Sequence, residues 1–269
     1  MERRYKLGVI GAGFMSSAII GGIISTNFLS ADSIIVSDVN DFALEKMQEK
    51  GVTVTKNNKD VCNNAEFVLF AVKPQNFSNL ACEISNCDCT KFISIMAGLK
   101  KDKIKSSFNK KVLVARCMPN TPCSIGKGAV AVDISDYNDR ADVDFVVGLL
   151  SSFAQVITVS EDKLNAVTGI SGSSPAYFYL IIKNLIEVGV KNGLSYDDAK
   201  KLATATMIGA GEMIIANDDK SLDDLINAVC SKGGTTIEAV NVFNNDGLGE
   251  LVDKAVSACI KRSAELENI

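Results

Sequence analysis

The stretch YKLGVIGAGFMS, residues 5–16, decides the fold of this chain. Its apolar start, Tyr5–Ile10, predicts a buried strand, and a helical pattern, Phe14–Asn27, follows a turn that contains Gly11 and Gly13. A glycine turn between a first strand and a helix is typical of dinucleotide-binding domains: Gly11 allows the tight turn, and Gly13 lets the backbone approach a pyrophosphate. Ser16 stands where Gly or Ala is usual. The alternative is an ordinary glycine turn, but its position directly after the first strand argues against that interpretation.

The same alternation of strand and helix continues outward from this stretch. Short runs rich in Val, Ile and Phe predict further strands at Ser33–Ser37, Glu66–Val72, Lys91–Met96, Lys111–Cys117, Ala129–Val132 and Val156–Val159. Helical patterns separate them at Asp41–Lys50, Asn76–Ser85, Lys101–Ser107 and Asp142–Phe153. Strands buried on both faces and joined by helices predict the α/β class, with a parallel, doubly wound sheet.

Strand signals end near residue 160. From Asp162 onward the patterns are helical, at Asn184–Asn192, Tyr196–Ala216, Ser221–Cys230, Thr236–Asn244 and Gly249–Glu267. We therefore expect two domains: a Rossmann-type dinucleotide-binding domain over residues 1–161 and an all-α domain over residues 162–269. Small residues along Ala203–Ile215 predict close helix packing, either inside this domain or at a subunit interface.

Composition excludes several functions. The chain has 269 residues, and its 28 Lys and Arg against 32 Asp and Glu give a net charge of −4, so it lacks the basic surplus of a nucleic-acid-binding protein. It has no His, which excludes His general bases, Ser-His-Asp triads and His-ligated zinc. The eight Cys form no CxxC pair, so we predict reduced thiols and no metal site. No apolar leader and no long uncharged apolar stretch is present, so we predict a cytoplasmic protein that does not span a membrane.

Polar side chains follow several strands, where an open parallel sheet binds its ligands. Asp38 closes the second strand and is placed to accept from ribose hydroxyls and to repel a 2′-phosphate; alternatively Asp38, Asn40 or Asp41 caps the next helix. Lys73 follows the strand at Glu66–Val72, and Asn120 and Thr121 lie in a stiff loop with two prolines. The alternative for both segments is a solvated connector.

Two glycine-containing segments mark the helical half. Gly169–Tyr177 interrupts the first helical pattern, because Pro175 removes a helix hydrogen bond. Either the freed backbone groups face a ligand, or the break is a packing kink. The segment Val229–Glu238 runs from one helix through a glycine turn into another. Thr235 and Glu238 match a capping box there, but the same geometry also turns backbone N–H groups into a nest for a carboxylate.

Taken together, the motifs resemble those of the pyrroline-5-carboxylate reductases. The resemblance covers the whole chain, through GAGFM, AVKP, RCMPNTP, GISGSSPAY and CSKGGTTIEAV. It implies reduction of 1-pyrroline-5-carboxylate to L-proline, the last step of proline biosynthesis, with NADP(H) or NAD(H) as cofactor. It also implies a helical domain that forms a homodimer by exchanging helices, often within a larger ring of dimers. Lys232 stands where the family carries Pro, which leaves the fine shape of the substrate loop open.

The resemblance also assigns site residues. Thr236 matches the threonine that hydrogen-bonds the ring nitrogen, and the substrate contacts are Gly233, Gly234, Thr235 and Asp219. The cofactor contacts are Gly11, Gly13, Phe14, Met15, Ser37, Asp38, Asn58, Ala71, Val72, Lys73, Ala97, Gly98 and Asn120. Because a protonated imine is already electrophilic, a site without His is adequate for this reaction.

Two alternatives stay open. The first is a related two-domain imine or β-hydroxyacid reductase; a hydroxyacid enzyme is expected to carry a catalytic Lys on a helix of the second domain, and the surroundings of Lys183 match that pattern poorly. The second is a non-catalytic NAD(P)H-binding protein, which would bind the cofactor without turnover. The intact glycine–threonine turn argues against this second alternative.

Overall fold

The computed structural model describes residues 3–267. Within them, eight strands form one sheet in the order β3-β2-β1-β4-β5-β6-β7-β8. The strands are β1 (Tyr5–Ile10), β2 (Ile34–Ser37), β3 (Thr53–Thr55), β4 (Ala65–Phe70), β5 (Lys91–Ser94), β6 (Leu113–Pro119), β7 (Gly128–Asp133) and β8 (Ala154–Thr158).

Helices connect most of the strands and then make up the remainder of the chain. Those of the first half are α1 (Phe14–Ser25), α2 (Asp41–Gln48), α3 (Asn58–Asn64), α4 (Phe77–Ile84), α5 (Lys101–Lys105), α6 (Arg140–Ser151) and α7 (Leu164–Val167). A π-helical turn, Thr168–Gly172, leads into the second half. Its helices are α8 (Ser174–Lys191), α9 (Tyr196–Ala216), α10 (Leu222–Val229), α11 (Thr235–Asn245) and α12 (Leu248–Leu266).

The chain packs as two compact units. The first comprises the residues up to Ser173 together with those from Cys259 onward, and the second is Ser174–Ala258. The end of α12 therefore packs with the sheet unit. The domain boundary expected between residues 161 and 162 stays a prediction.

Two hydrophobic clusters cover the two faces of the sheet. In β4, Phe67 and Leu69 belong to one cluster, and Val68 and Phe70 belong to the other. Successive side chains of a strand point to opposite faces, so near-continuous apolar strands such as these are the signature of a sheet covered on both sides. The predicted α/β fold, with a helical second half, is confirmed.

The sheet differs from the predicted one in two respects. Strands β6 and β7 pair antiparallel, with Arg116 opposite Asp133 and Pro119 opposite Val130, so β7 and β8 run against the other strands. The connection between β6 and β7 is a short 3₁₀ turn, Thr121–Ile125, and is too short for the crossover that parallel pairing needs. Strand β3, at the sheet edge, was not predicted, because three residues carry too little pattern.

The predicted effect of Pro175 is wrong. Helix α8 begins at Ser174, much earlier than the expected Asn184, so Pro175 lies in its first turn, where a missing N–H costs no intrahelical bond. The interruption is the π-helical turn before it. A Cβ on Gly172 would lie 2.7 Å from Cε of Met118, so that turn packs tightly against β6.

Candidate functional site

A cleft of about 520 Å³ opens at the carboxyl ends of β1, β2 and β4. The strand order reverses between β1 and β4, and open α/β sheets bind their ligands at such a switch point. The cleft is lined by Ile10, Gly11, Gly13, Ser37, Asp38, Val39, Asn58, Ala71, Val72, Lys73, Asn76, Asn79, Leu80 and Glu83.

The glycine turn forms one wall of this cleft. Gly11 has φ +104°, and a Cβ there would lie 2.8 Å from the carbonyl oxygen of Ala71, so the turn requires glycine. Gly13 precedes α1 as its N-cap, and a Cβ there would meet nothing within 4 Å, so its backbone faces open space. The Ser16 hydroxyl donates to the Gly11 carbonyl, which gives the unusual serine a structural role.

The start of α1 suits an anionic group. The first N–H groups of any helix have no carbonyl one turn earlier, and α1 has no acidic residue in its first turn. These donors and the positive end of the helix dipole face the cleft beside Gly13. The cradle therefore fits the pyrophosphate of a dinucleotide.

Asp38 holds the glycine turn and does not cap a helix. Its Oδ2 accepts from the Ala12 N–H at 2.6 Å, and its Oδ1 accepts from the Asn40 N–H at 2.9 Å. Helix α2 is capped by Asn40, whose side chain accepts from the Ala43 N–H at 3.1 Å. Of the three residues in the capping alternative, Asn40 is therefore the cap and Asp38 is not; the Asp38 carboxylate lies in the cleft wall.

A polar chain crosses the cleft beside Asp38. The Ser37 hydroxyl donates to Oδ1 of Asn58 at 2.7 Å, and Nδ2 of Asn58 donates to Oε2 of Glu83 at 2.8 Å. Sequence reasoning missed Glu83, together with Asn76 and Leu80. The signal was available, since position 76, directly before α4, and positions 80 and 83 within it follow the spacing of one helix face.

The structure places the predicted cofactor residues in more than one location. Eight of them line the cleft: Gly11, Gly13, Ser37, Asp38, Asn58, Ala71, Val72 and Lys73. Phe14 lines a neighbouring groove beside α1, and Met15 packs against a core cluster. Asn120 is buried; its Nδ2 donates to the Ser171 carbonyl at 3.3 Å, and its Oδ1 accepts from the Ala129 N–H at 3.0 Å.

Ala97 and Gly98 line a separate cavity of about 490 Å³. Gly98 has φ +70°, and a Cβ there would lie 3.0 Å from Cβ of Leu266, at the end of α12. The next residue, Glu267, accepts from Nη2 of Arg116 at 2.9 Å. Burial opposes ionisation of Glu267, but Arg116, together with Asn165 and Lys100, outweighs burial and holds the pKa of that carboxyl below its usual value. The buried Arg116 thus fastens the end of α12 beside this turn.

The glycine–threonine turn lies in the second unit. Gly233 has φ +73°, which favours glycine. A Cβ on Gly234 would lie 2.4 Å from Oγ of Ser231, so a larger residue there would displace that serine side chain. Gly234 is the N-cap of α11, without a side-chain cap, and Thr235 is the first helical residue. The alternative interpretation of this segment, a capping box formed by Thr235 and Glu238, is therefore wrong. Backbone N–H groups remain the donors at this helix start, which suits a carboxylate.

Thr236 and Asp219 are both exposed. Thr236 follows Thr235 in the first turn of α11, and Asp219 lies in the turn between α9 and α10. Among residues 3–267, no three His, Cys, Asp or Glu side chains are grouped so that they could hold a metal ion. No helix in the same range is long and apolar enough to cross a lipid bilayer.

The fold and the cleft define a dinucleotide-binding α/β protein with a helical second unit. Residues 161–266 match the family model for pyrroline-5-carboxylate reductase dimerisation, and residues 6–98 match that for coenzyme F420-dependent NADP oxidoreductases. A pyrroline-5-carboxylate reductase of Staphylococcus aureus is 35% identical over 98% of both chains. The chain belongs to the pyrroline-5-carboxylate reductase family.

Solved structures give the same assignment. The pyrroline-5-carboxylate reductase of Coxiella burnetii superposes with a TM-score of 0.90, at 30% identity, over 98% of this chain and 99% of that one. The Plasmodium falciparum pyrroline carboxylate reductase, solved with NADP bound, superposes with a TM-score of 0.87, at 27% identity, over 99% of both chains. The family that the motifs indicated is confirmed.

Proposed function

We propose that this chain reduces 1-pyrroline-5-carboxylate to L-proline by hydride transfer from NAD(P)H, the last step of proline biosynthesis. The observation that carries the proposal is the intact turn Gly233–Thr236 at the start of α11, in a chain that aligns with named reductases over nearly its full length. The turn offers N–H donors for a carboxylate and a hydroxyl for a ring nitrogen. A cyclic imino acid presents both groups.

The cleft at β1, β2 and β4 is the proposed NAD(P)H site. Gly11, Gly13 and the first N–H groups of α1 would hold the pyrophosphate, and Asp38 would accept from a ribose hydroxyl. Bound there, the cofactor supplies the hydride. Phe14, Met15, Ala97, Gly98 and Asn120 remain proposed contacts, although they do not line this cleft.

In the second unit, we propose that Gly233, Gly234 and Thr235 bind the substrate carboxylate through backbone N–H groups. Thr236 would hydrogen-bond the ring nitrogen, and Asp219 remains a proposed substrate contact. With no His in the chain, these residues contribute mainly by orientation. Holding two reactants in register can lower a barrier by as much as about 7–11 kcal/mol.

The test is an assay of the purified chain with 1-pyrroline-5-carboxylate and each reduced nicotinamide cofactor, with proline measured as product. Proline formation is expected. Turnover of β-hydroxyacids instead would favour the alternative of a related β-hydroxyacid reductase. Lys183, the lysine considered for that reaction, is exposed on α8, with its Nζ 3.7 Å from Oε1 of Glu187. Tight NAD(P)H binding without any turnover would favour the non-catalytic alternative.

We propose a homodimer built on the second unit. Within Ser174–Ala258, all of which the structure describes, the buried hydrophobic side chains are Ile186 and Ala199. Large apolar side chains are exposed along every one of its long helices, among them Phe178, Leu185, Leu202, Met213, Phe243 and Leu251. A surface with this many exposed large apolar side chains is typically covered by another protein surface. The matched dimerisation model makes a second copy of the chain the partner.

We expect static light scattering to give at least twice the mass of one chain, 28.7 kDa, at assay concentration. A fully active monomer would refute the dimer proposal. A multiple of the dimer mass would support a larger ring of dimers, which stays a prediction.

Cofactor preference gives a further prediction. The described lining of the cleft carries two acids, Asp38 and Glu83, and one base, Lys73. Since a carboxylate repels a 2′-phosphate, we expect NADH to be used well and Asp38→Ser to raise the kcat/KM ratio of NADPH to NADH severalfold. Steady-state kinetics with both cofactors, for the unaltered protein and for Asp38→Ser, measure this ratio. An unchanged ratio would mean that Asp38 acts only through its bond to the Ala12 N–H.

We also propose that the chain works in the cytoplasm. All eight cysteines, which lie within the described residues, are free thiols. Free thiols persist in a reducing compartment.

A further inference from the structure

One carboxylate in the wall of the β1–β2–β4 cleft comes from helix α4. Glu83 lies one residue before the end of α4, is exposed, and lines the same cleft as Gly13 and Asp38. An exposed glutamate on a helix is free to turn its carboxylate into water, because its long side chain has many rotamers. Glu83 is instead held at the wall, since its Oε2 accepts from Nδ2 of Asn58 at 2.8 Å.

Asn58 is itself fixed from its other side. Ser37, which is fully buried at the end of β2, donates its hydroxyl hydrogen to Oδ1 of Asn58 at 2.7 Å. An ionised carboxylate and an amide oxygen both only accept hydrogen bonds, so the direction of the chain is determined: Ser37 donates to Asn58, and Asn58 donates to Glu83. A chain of hydrogen bonds therefore runs from a buried hydroxyl to a negative charge at the cleft wall.

The described lining of the cleft has more acidic than basic side chains. It contains Asp38, Glu83 and a single base, Lys73. Asp38 is held as well, because its carboxylate oxygens accept from the backbone N–H groups of Ala12 and Asn40. A nucleotide in this cleft would meet two fixed carboxylates, one after β2 and one on α4. Such carboxylates accept from hydroxyl groups and repel phosphate groups.

We propose that Glu83 is a specificity-determining residue: held by Asn58, it favours a nucleotide with a free 2′-hydroxyl over one with a 2′-phosphate. The inference rests on the proposed NAD(P)H site, and it adds to Asp38 a second discriminating carboxylate from a different element of the fold. The bond to Asn58 supports it, because a carboxylate that only solvated α4 would not be fixed to the cleft wall through a buried serine.

The experiment measures nucleotide binding without substrate, so it needs no turnover. Calorimetric titration of the full-length protein with 5′-AMP and with adenosine 2′,5′-bisphosphate compares two ligands that differ only in the 2′-phosphate. Fluorescence titrations with NADH and NADPH repeat the comparison. For the unaltered protein, we expect the ligand without the 2′-phosphate to bind more tightly in each pair.

Two substitutions at position 83 change the charge in steps. Glu83→Gln keeps an acceptor oxygen for Asn58 but removes the charge, and it should shift the ratio of the two dissociation constants about three- to tenfold toward the phosphorylated ligand. Glu83→Lys places an attractive charge there and should shift that ratio about ten- to a hundredfold. Both shifts should shrink at about 1 M salt, where the Debye length is about 3 Å.

Two further variants separate the position of the charge from its presence. Glu49→Gln removes the same charge from an exposed residue directly after α2, outside the cleft lining, and should leave the ratio unchanged. Ser37→Ala removes the buried donor that fixes Asn58, so adding Glu83→Gln to it should shift the ratio less than Glu83→Gln does alone. Thermal melts show which variants are folded.

The outcomes distinguish this inference from the proposed cofactor site. An unchanged ratio in both Glu83→Gln and Glu83→Lys, with the nucleotides still bound, would overturn the role of Glu83 and leave the cleft as the cofactor site. Tighter binding of the phosphorylated ligands by the unaltered protein would also overturn that role. If the folded, unaltered protein binds none of the four ligands, both the cofactor site and this inference are wrong.

Discussion

Gly11→Ala is expected to destabilise the sheet unit and to abolish measurable NAD(P)H binding at ordinary cofactor concentrations. A Cβ at φ +104° would lie 2.8 Å from the carbonyl oxygen and 2.9 Å from the carbonyl carbon of Ala71. Both are backbone atoms, so the ends of β1 and β4 must separate. The backbone strain alone costs about 1–3 kcal/mol, and the melting temperature should fall by about 2–4 °C for each kcal/mol lost.

Gly13→Ala is the matched control for that effect. Gly13 has an extended backbone, φ −72°, and nothing lies within 4 Å of its added Cβ, so the melting temperature should be unchanged. The methyl group would instead occupy space in the cleft beside the start of α1. Steric crowding of about 1–3 kcal/mol would weaken NAD(P)H binding about five- to hundredfold.

Paired thermal melts and NAD(P)H fluorescence titrations separate the two glycines. We expect Gly11→Ala to lose both stability and binding, and Gly13→Ala to lose binding alone. If Gly13→Ala binds the cofactor as tightly as the unaltered protein, the pyrophosphate does not approach this turn. The proposed cofactor site at the start of α1 would then be wrong.

The fold was predictable where one short segment carries its own pattern. Tyr5–Ile10 is apolar at every position but Lys6 and Gly8, and Tyr196–Ala216 is a long helix after a serine cap; both elements begin and end at the predicted residues. The strand direction of β7 could not be read in this way. Whether a strand runs parallel to its neighbour depends on the connection between them, and the short turn at Thr121–Ile125 decides it.

The candidate site shows the same division. The glycine turn, Asp38 and Lys73 were found because each follows a strand, and the sheet brings strand ends together. Glu83 was missed although the helix-face spacing of positions 76, 80 and 83 was visible, because that spacing does not show which face lines the cleft; the bond to Asn58, 25 residues away, does. Arg116, in the RCMPNTP motif, is buried between Glu161 and Glu267, and its partner at the end of the chain is a tertiary contact that no local pattern contains.

Thr236→Ala should lower kcat/KM for 1-pyrroline-5-carboxylate about ten- to a hundredfold without changing the melting temperature. Thr236 is exposed in the first turn of α11, so little packing is lost when its side chain is shortened. The proposed loss is one hydrogen bond to a ring nitrogen that is charged or developing charge, a bond worth roughly 1.5–3 kcal/mol. NAD(P)H binding, which we place in the cleft of the other unit, should not change.

Two neighbouring variants sharpen this test. Thr236→Ser keeps the hydroxyl and should retain most of the activity. Thr235→Ala removes a hydroxyl that does not cap α11, because Gly234 is the N-cap, so its melting temperature should also be unchanged. Its kinetic loss should be smaller than that of Thr236→Ala, because the backbone N–H that we assign to the carboxylate stays in place.

Thermal melts and steady-state kinetics on all three variants discriminate between a helix start and a substrate site. If the turn only starts α11, the three variants should share the kinetics of the unaltered protein. If Thr236 contacts the ring nitrogen, the loss should follow the hydroxyl at position 236 and return with Thr236→Ser. Unaltered kinetics in Thr236→Ala would remove Thr236 from the mechanism. The backbone N–H groups after Gly233 and Gly234 would then be the turn's whole contribution. Gly233, at φ +73°, holds that backbone in a form that other residues rarely adopt.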